Sequence, residues 1–395
     1  MPTSGKTSRK GRLGNIAFIL LFSLAGLATG YFGAKFLKAS ALLQTIGPEG
    51  AGEKILYLVM AFFAIWLAIA LHELGHLTAG LAQGFRLALY TAGVLGIRGT
   101  GRGARLFFNH DINLVGGLAA TYPQEVESGP ALRRKFARIV AAGPFASLVV
   151  GVVALTAGWL LAQQLQAPAS LSGRAGVAFL YVLGLMSGLI FLATSMPLPS
   201  RGFMTDGARY LSLNSGGEKG LREEAGLAVT ALMGAGKLPG EYPSELLERL
   251  TSLPAGSLLG LNGNFLAFAH HLDREEIAGA LAFAQTMEAN LDAAPAGLFR
   301  RYYLKEMVFF YAFLAGDAEK ARALWGPIAR AAEKDRDAAA FRAMAALALL
   351  EGRREEATAL VEAGLKKISD ISFEGQRRYE EKWLRAVSER SSKPS

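Results

Sequence analysis

Two of the five histidines in this chain stand four residues apart, in His72-Glu73-Leu74-Gly75-His76. On a helix, positions i and i+4 share a face, so both imidazoles can reach one metal ion. The chain has no Cys, which excludes disulfides, thiolate ligands and a cysteine nucleophile. His and carboxylate remain, the donor set of a catalytic Zn²⁺. One zinc per chain would lower the pKa of its bound water to about 7. Glu73, next to His72, is then placed to take the proton of that water as general base, and peptide hydrolysis is the natural outcome. An H-E-x-x-H pattern also arises by chance in soluble helices. This one interrupts an apolar run, where two His and a Glu within one turn have no cheap structural reason.

A catalytic zinc takes three protein ligands and leaves a position open. His110 and Asp111 lie in a basic loop, and His270 and His271 belong to a surface or repeat helix. Asp206 is preferred as the third ligand. It follows a segment from Pro197 whose prolines and glycine break the preceding helix, and Gly207 lets the backbone turn tightly beside it. The competing reading of Asp206 is a helix N-cap for the residues that follow.

The elements that position these residues are read as membrane helices. Hydrophobic residues make up 51% of the 395 and charged residues 19%, with the apolar residues gathered in long charge-free runs in the first half. Ile16 to Ala34, Ile55 to Ala82, Ile139 to Leu161 and Ala175 to Pro199 are each long enough for a span of about 20 residues. The basic tail before residue 16 and the Arg-rich loop from about Gln83 to Lys135 place both termini in the cytoplasm. His72, His76 and Asp206 then share a depth near the cytoplasmic face. Within that loop, Leu87 to Gly96 and Ile112 to Thr121 predict short strands or a hairpin at the membrane surface, whose edge could pair with an extended peptide. The net charge of +9 is explained by cations flanking the spans, and nucleic-acid binding is not expected.

From residue 214 to 387 the sequence predicts a soluble domain of amphipathic helices, followed by a disordered tail over 388–395. Gly316-Asp-Ala-Glu-Lys-Ala recurs as Gly352-Arg-Arg-Glu-Glu-Ala, 36 residues later. That spacing is near the period of tetratricopeptide-type hairpins, against which stands a plain helical bundle. The fold class is thus an all-α membrane protein of about four spans over residues 16–213. It has a small β element and a C-terminal helical domain able to hold a protein partner.

Taken together, these motifs resemble the site-2 protease family of intramembrane zinc metalloproteases. His72-Glu-Leu-Gly-His76 is similar to the family's first zinc motif. Ala142-Gly143-Pro144 resembles the short motif at the start of a following span. Thr194-Ser-Met-Pro197, continued to Asp206-Gly207, resembles the family's Asn-x-x-Pro…Asp-Gly motif in a longer-spaced form. The resemblance covers roughly residues 50 to 215. It implies His72, His76 and Asp206 as zinc ligands, Glu73 as catalytic acid/base, and a transmembrane protein as substrate within the lipid bilayer. Thr194 stands where the family usually has Asn, and is the candidate for contact with the substrate backbone or oxyanion. A hydroxyl lacks the amide's paired donor and acceptor. That departure supports an alternative, a weakly catalytic membrane scaffold acting through the helical domain. A metal transporter is disfavoured because spans one and three offer almost no polar residues.

Overall fold

The computed structural model describes residues 45–101, 103–110, 114–126, 129–165, 169–197, 204–215, 217–294 and 297–392. The expected first span, Ile16 to Ala34, lies outside them, as does Asp111. Three of the described helices are long and apolar enough to cross a membrane: α1 (Ala51–Ala82), α2 (Pro130–Gln164) and α3 (Leu171–Ser195). They are the three remaining stretches of the sequence reading, each longer at its N-terminal end than the apolar run alone. On α1 the apolar side chains point outward as well as inward, and Phe62 is 74% exposed. A helix apolar all round is what a lipid-facing element requires.

The chain falls into two compact units. One joins the residues up to Ile65 with Gly151–Leu185. Here Arg174, near the start of α3, is buried and pairs with Glu53 at 3.0 Å and Glu49 at 2.8 Å, and donates to the Gly47 carbonyl at 2.8 Å. The other unit joins Trp66–Val150 with the residues from Met186 onward. It holds the site, the sheet and the C-terminal helices.

The sheet has four antiparallel strands in the order β3-β2-β1-β4, with β1 at Phe85–Ala92, β2 at Leu95–Thr100, β3 at Gly103–Phe108 and β4 at Leu118–Pro123. Sequence reasoning marked β1 and β4 and missed β3. Rather than lying flat across the end of α1, β1 runs back beside it. Tyr90 Oη donates to the Ala70 carbonyl at 2.8 Å, and Trp66 Nε1 donates to the Ala92 carbonyl at 2.9 Å. Trp66 is six residues, about 9 Å, before His72 on the helix. Among the described strands β4 is at an edge, paired with β1 across a bulge between Leu87 and Leu89.

After α3 come α4 (Asp206–Ser215), α5 (Glu218–Gly234), α6 (Ser244–Thr251) and α7 (Leu258–Asp273). Next are α8 (Ile277–Ala289), α9 (Leu298–Phe309, continued as a π-helix through Ala315), α10 (Ala318–Trp325) and α11 (Ala329–Asp335). The last are α12 (Ala338–Leu350), α13 (Arg354–Leu365) and α14 (Glu374–Ser392). Three helical hairpins recur: α7–α8, α9–α10 and α12–α13. Each turns on a left-handed residue: Glu275 (φ 59°), Gly316 (φ 69°) and Gly352 (φ 77°). The two glycine turns are the pair visible in the sequence; in the first hairpin Glu275 occupies that position. Their common core includes Phe268, Met287, Met307, Phe310 and Trp383.

α14 runs through Ser392, into the stretch expected to be disordered. Arg390 holds it there, lying 4.0 Å over the Phe313 ring and donating to the Phe313 carbonyl at 2.5 Å, and Ser391 is buried. The segment before α14 seats the helices on the sheet. Gly101 N–H donates to the Ser369 carbonyl at 3.3 Å, Tyr122 Oη to the Ser372 carbonyl at 3.2 Å, and the Tyr122 and Phe373 rings lie 4.4 Å apart.

Candidate metal centre

The helical spacing of His72 and His76 sets their Nε2 atoms 3.3 Å apart on one face of α1. Asp206, the first residue of α4, brings its Oδ2 to 3.3 Å from His72 Nε2 and 3.5 Å from His76 Nε2. Asp206 is free to do this because Thr205, not Asp206, caps the helix. The Thr205 hydroxyl accepts from the Ala208 N–H at 3.3 Å and donates to the Met196 carbonyl at 2.6 Å. The three donor atoms form a nearly equilateral triangle. Zinc–ligand bonds of about 2.0–2.2 Å in a tetrahedron put neighbouring ligand atoms about 3.3–3.6 Å apart, so the triangle fits one face of such a site.

The imidazoles are held from behind by α2. His76 Nδ1 lies 2.8 Å from the Ile139 carbonyl, which only accepts, so Nδ1 carries the proton and Nε2 keeps its lone pair. His72 Nδ1 lies 2.9 Å from Ser147 Oγ. Gly143 sits between them on the same helix. A Cβ there would lie 2.1 Å from His76 Nε2, so the middle residue of the Ala-Gly-Pro motif is small because the His76 ring occupies its side-chain space. One turn away, Gly75 is packed so closely that a Cβ would come 2.6 Å from the Ala142 carbonyl oxygen. Small residues at this crossing let α1 and α2 approach, as helices in lipid require.

Glu73 points to the sheet side, where its carboxylate faces the backbone N–H of Ala119 on edge strand β4. Gly117, at φ +97°, passes over it, and a Cβ there would lie 2.8 Å from Glu73 Cγ. Burial pushes the Asp206 carboxyl up, but hydrogen bonds and charge from His72 and His76 outweigh burial and hold it at about 2. Asp206 is therefore an anionic donor across the physiological range.

The other candidates are placed apart from this cluster. His110 is exposed in the loop after β3. His270 Nδ1 pairs with the Pro239 carbonyl at 2.9 Å, and His271 Nδ1 with Glu276 at 2.7 Å, both within the helical region. Thr194 donates to the Ile190 carbonyl at 2.9 Å inside its own helix, and among the described residues none of its hydrogen bonds reaches the triangle. Residues 198–203, between Thr194 and Asp206, lie outside the described residues. Sequence reasoning missed Ser147, Gly117 and Ala119. The signal for Ser147 was its position four residues beyond Gly143, on the same face of α2.

The sequence profile of peptidase family M50 matches residues 60–353. The chain belongs to that family. M50 is the site-2 protease family of intramembrane zinc metalloproteases, so the three apolar helices are those of a membrane protein. The match runs well past residue 215, and so takes in most of the C-terminal helices of this M50 protein as well as the spans. No curated protein and no solved structure matches the chain significantly.

Proposed function

We propose that this M50 member is an active intramembrane zinc endopeptidase in which His72, His76 and Asp206 hold one Zn²⁺ and Glu73 is the general acid/base. The observation that carries this reading is the donor triangle. Its edges of 3.3, 3.3 and 3.5 Å suit one tetrahedral zinc, and His76 is locked by Ile139 in the tautomer a metal needs. When bound, zinc supplies a water acidified to a pKa of about 7 and polarises the scissile carbonyl. Glu73 takes one proton from the attacking water as its oxygen bonds to the carbonyl carbon. It returns that proton to the nitrogen as the C–N bond breaks, leaving a carboxylic acid and an amine, and the acid's proton, the second of the water, then passes to the amine to give carboxylate and ammonium.

The substrate is the extended, locally unwound portion of a transmembrane segment. Among the described strands β4 pairs on one side alone, and its Ala119 N–H lies beside Glu73. A peptide added as a strand there would run past the general base with its backbone groups paired, which the apolar surroundings demand. Both termini and the active-site opening face the cytoplasm in this reading. The recurring hairpins form a tetratricopeptide-like region that recruits a protein partner.

One observation favours the scaffold alternative. Thr194 spends its hydroxyl on Ile190, so it offers the oxyanion no free donor in this arrangement. The two readings separate on zinc content and cleavage of a model transmembrane substrate by wild type beside Glu73→Gln. The protease reading expects about one zinc in each and cutting by wild type alone. Zinc in both with no cutting by wild type sinks it in favour of the scaffold.

A further inference from the structure

The helical region grips the metal centre at two adjacent carboxylates. Glu223 and Glu224 follow one another on α5, so their side chains leave the helix about 100° apart and can reach different elements. Glu223 Oε2 lies 2.9 Å from Arg209 Nε. Glu224 Oε2 lies 3.0 Å from Arg133 Nε, and its Oε1 accepts from the Gly129 N–H at 2.8 Å. Both carboxylates are nearly buried, Glu223 with 8% and Glu224 with 11% of the side chain exposed.

What the two arginines belong to gives the contacts their meaning. Arg209 stands on α4 three residues after Asp206, on the same face one turn along. Its guanidinium also lies 5.6 Å over the ring of Phe136, three residues before the Ile139 carbonyl that holds His76. Arg133 and Gly129 mark the start of α2, the helix that supplies Ile139, Gly143 and Ser147. Leu213, near the end of α4, packs in one buried cluster with Ala137 and Val140 of α2. α4 and α5 are in turn tightly opposed, since a Cβ on Gly220 would lie 2.3 Å from the Ser212 carbonyl oxygen. One turn of α5 thus touches the element that brings the carboxylate and the element that orients both imidazoles.

We infer that Glu223 and Glu224 are positioning residues: through Arg209 and Arg133 they fix α4 against α2, and so set where Asp206 stands relative to His72 and His76. This rests on the zinc reading above. Glu223 does the larger share, because Arg209 lies one turn from Asp206. A buried carboxylate deprived of its cation must rehydrate or move, and either displaces α4. The C-terminal helices therefore act on the metal centre through α5, which gives a partner bound to them a mechanical route to the site.

The test uses the full-length protein in detergent, loaded with zinc, and follows zinc release to a chromophoric chelator together with kcat and KM on a model transmembrane substrate. Glu223→Gln is expected to release zinc about 10-fold faster or more, the usual cost of losing a group that orients a ligand. kcat should fall with KM nearly unchanged. The reversed pair, Arg209→Glu with Glu223→Arg, should recover most of the loss. Wild-type release from a folded Glu223→Gln overturns the proposal, as does a folded reversed pair that still releases zinc fast. Should Glu223→Gln fail to fold, Glu223→Asp decides. It keeps the charge and withdraws it by one methylene; faster release supports the positioning role and wild-type release overturns it. A wild type that binds no zinc overturns the metal reading itself, and this inference with it.

Discussion

Among the buried charge clusters of the described residues, two are built on opposite plans. In the helical region, Arg342 is fully buried and donates to Glu306 at 2.5 Å and Glu380 at 2.8 Å, with its guanidinium 4.2 Å over Phe309. The chain supplies both signs of charge there. At the membrane end, His72, His76 and Asp206 bring three lone-pair donors to within 3.5 Å of one another, with the ring nitrogens behind them anchored to Ile139 and Ser147. Here the chain supplies donors and the scaffold that aims them. The first plan suits a structural brace, and the second suits the cation site proposed above.

The largest expected effect is at Glu73. Glu73→Gln keeps the three donors and removes the base, so peptide cleavage should fall by about 10²–10⁴-fold while zinc content stays at wild type. A rate assay with zinc quantified on the same sample checks this. At the other cluster, Arg342→Ala leaves two buried carboxylates without their cation and should cost about 3–5 kcal/mol of stability. Urea denaturation followed by helical signal reads that loss, and the zinc content of the folded fraction should not change. Ser147→Ala sharpens the contrast from the membrane side: it frees His72 Nδ1 and should weaken zinc binding about 10-fold without moving the denaturation midpoint of the helical region.

The smallest effect is a dependence on pH. Burial, opposed by Arg342 and reinforced by Glu380, raises the Glu306 carboxyl from an ordinary 4.5 to about 7. The folded chain then keeps a proton that the unfolded chain gives up. The contribution to stability is fully present below about pH 4.5 and is lost as pH rises through about 7. The denaturation midpoint of the helical region should fall between pH 5 and pH 8, and Glu306→Gln should flatten that fall. An equally steep fall in the variant would place the titration elsewhere.

Much of the membrane cluster was legible in the sequence because its constraints are local. His72 and His76 announce themselves by helical spacing inside an apolar run, and Asp206 by the break that precedes it. The groups that orient them were harder to read. The Ile139 carbonyl carries no sequence signal, and Ser147 looks like any small residue on a membrane helix. Gly143 could be noticed in its motif, but its reason, a histidine ring in the space of its own side chain, exists only once α1 and α2 cross. In the helical region the turns were partly visible: two carry Gly at the left-handed position, and a third carries Glu275, which gives no such sign. The brace of Arg342 was invisible, since Glu306 and Glu380 lie far from it in sequence and nothing local pairs them. β3 was missed because it is short and almost wholly exposed, so it lacks the alternation that marks a half-buried strand.

The most direct test of the central claim is zinc-edge X-ray absorption on the purified full-length protein beside Asp206→Ala. One zinc per chain is expected, with two imidazole nitrogens and a carboxylate oxygen at about 2.0–2.2 Å, and the variant should lose the oxygen shell with a large drop in occupancy. Full occupancy with an unchanged spectrum in Asp206→Ala would contradict it.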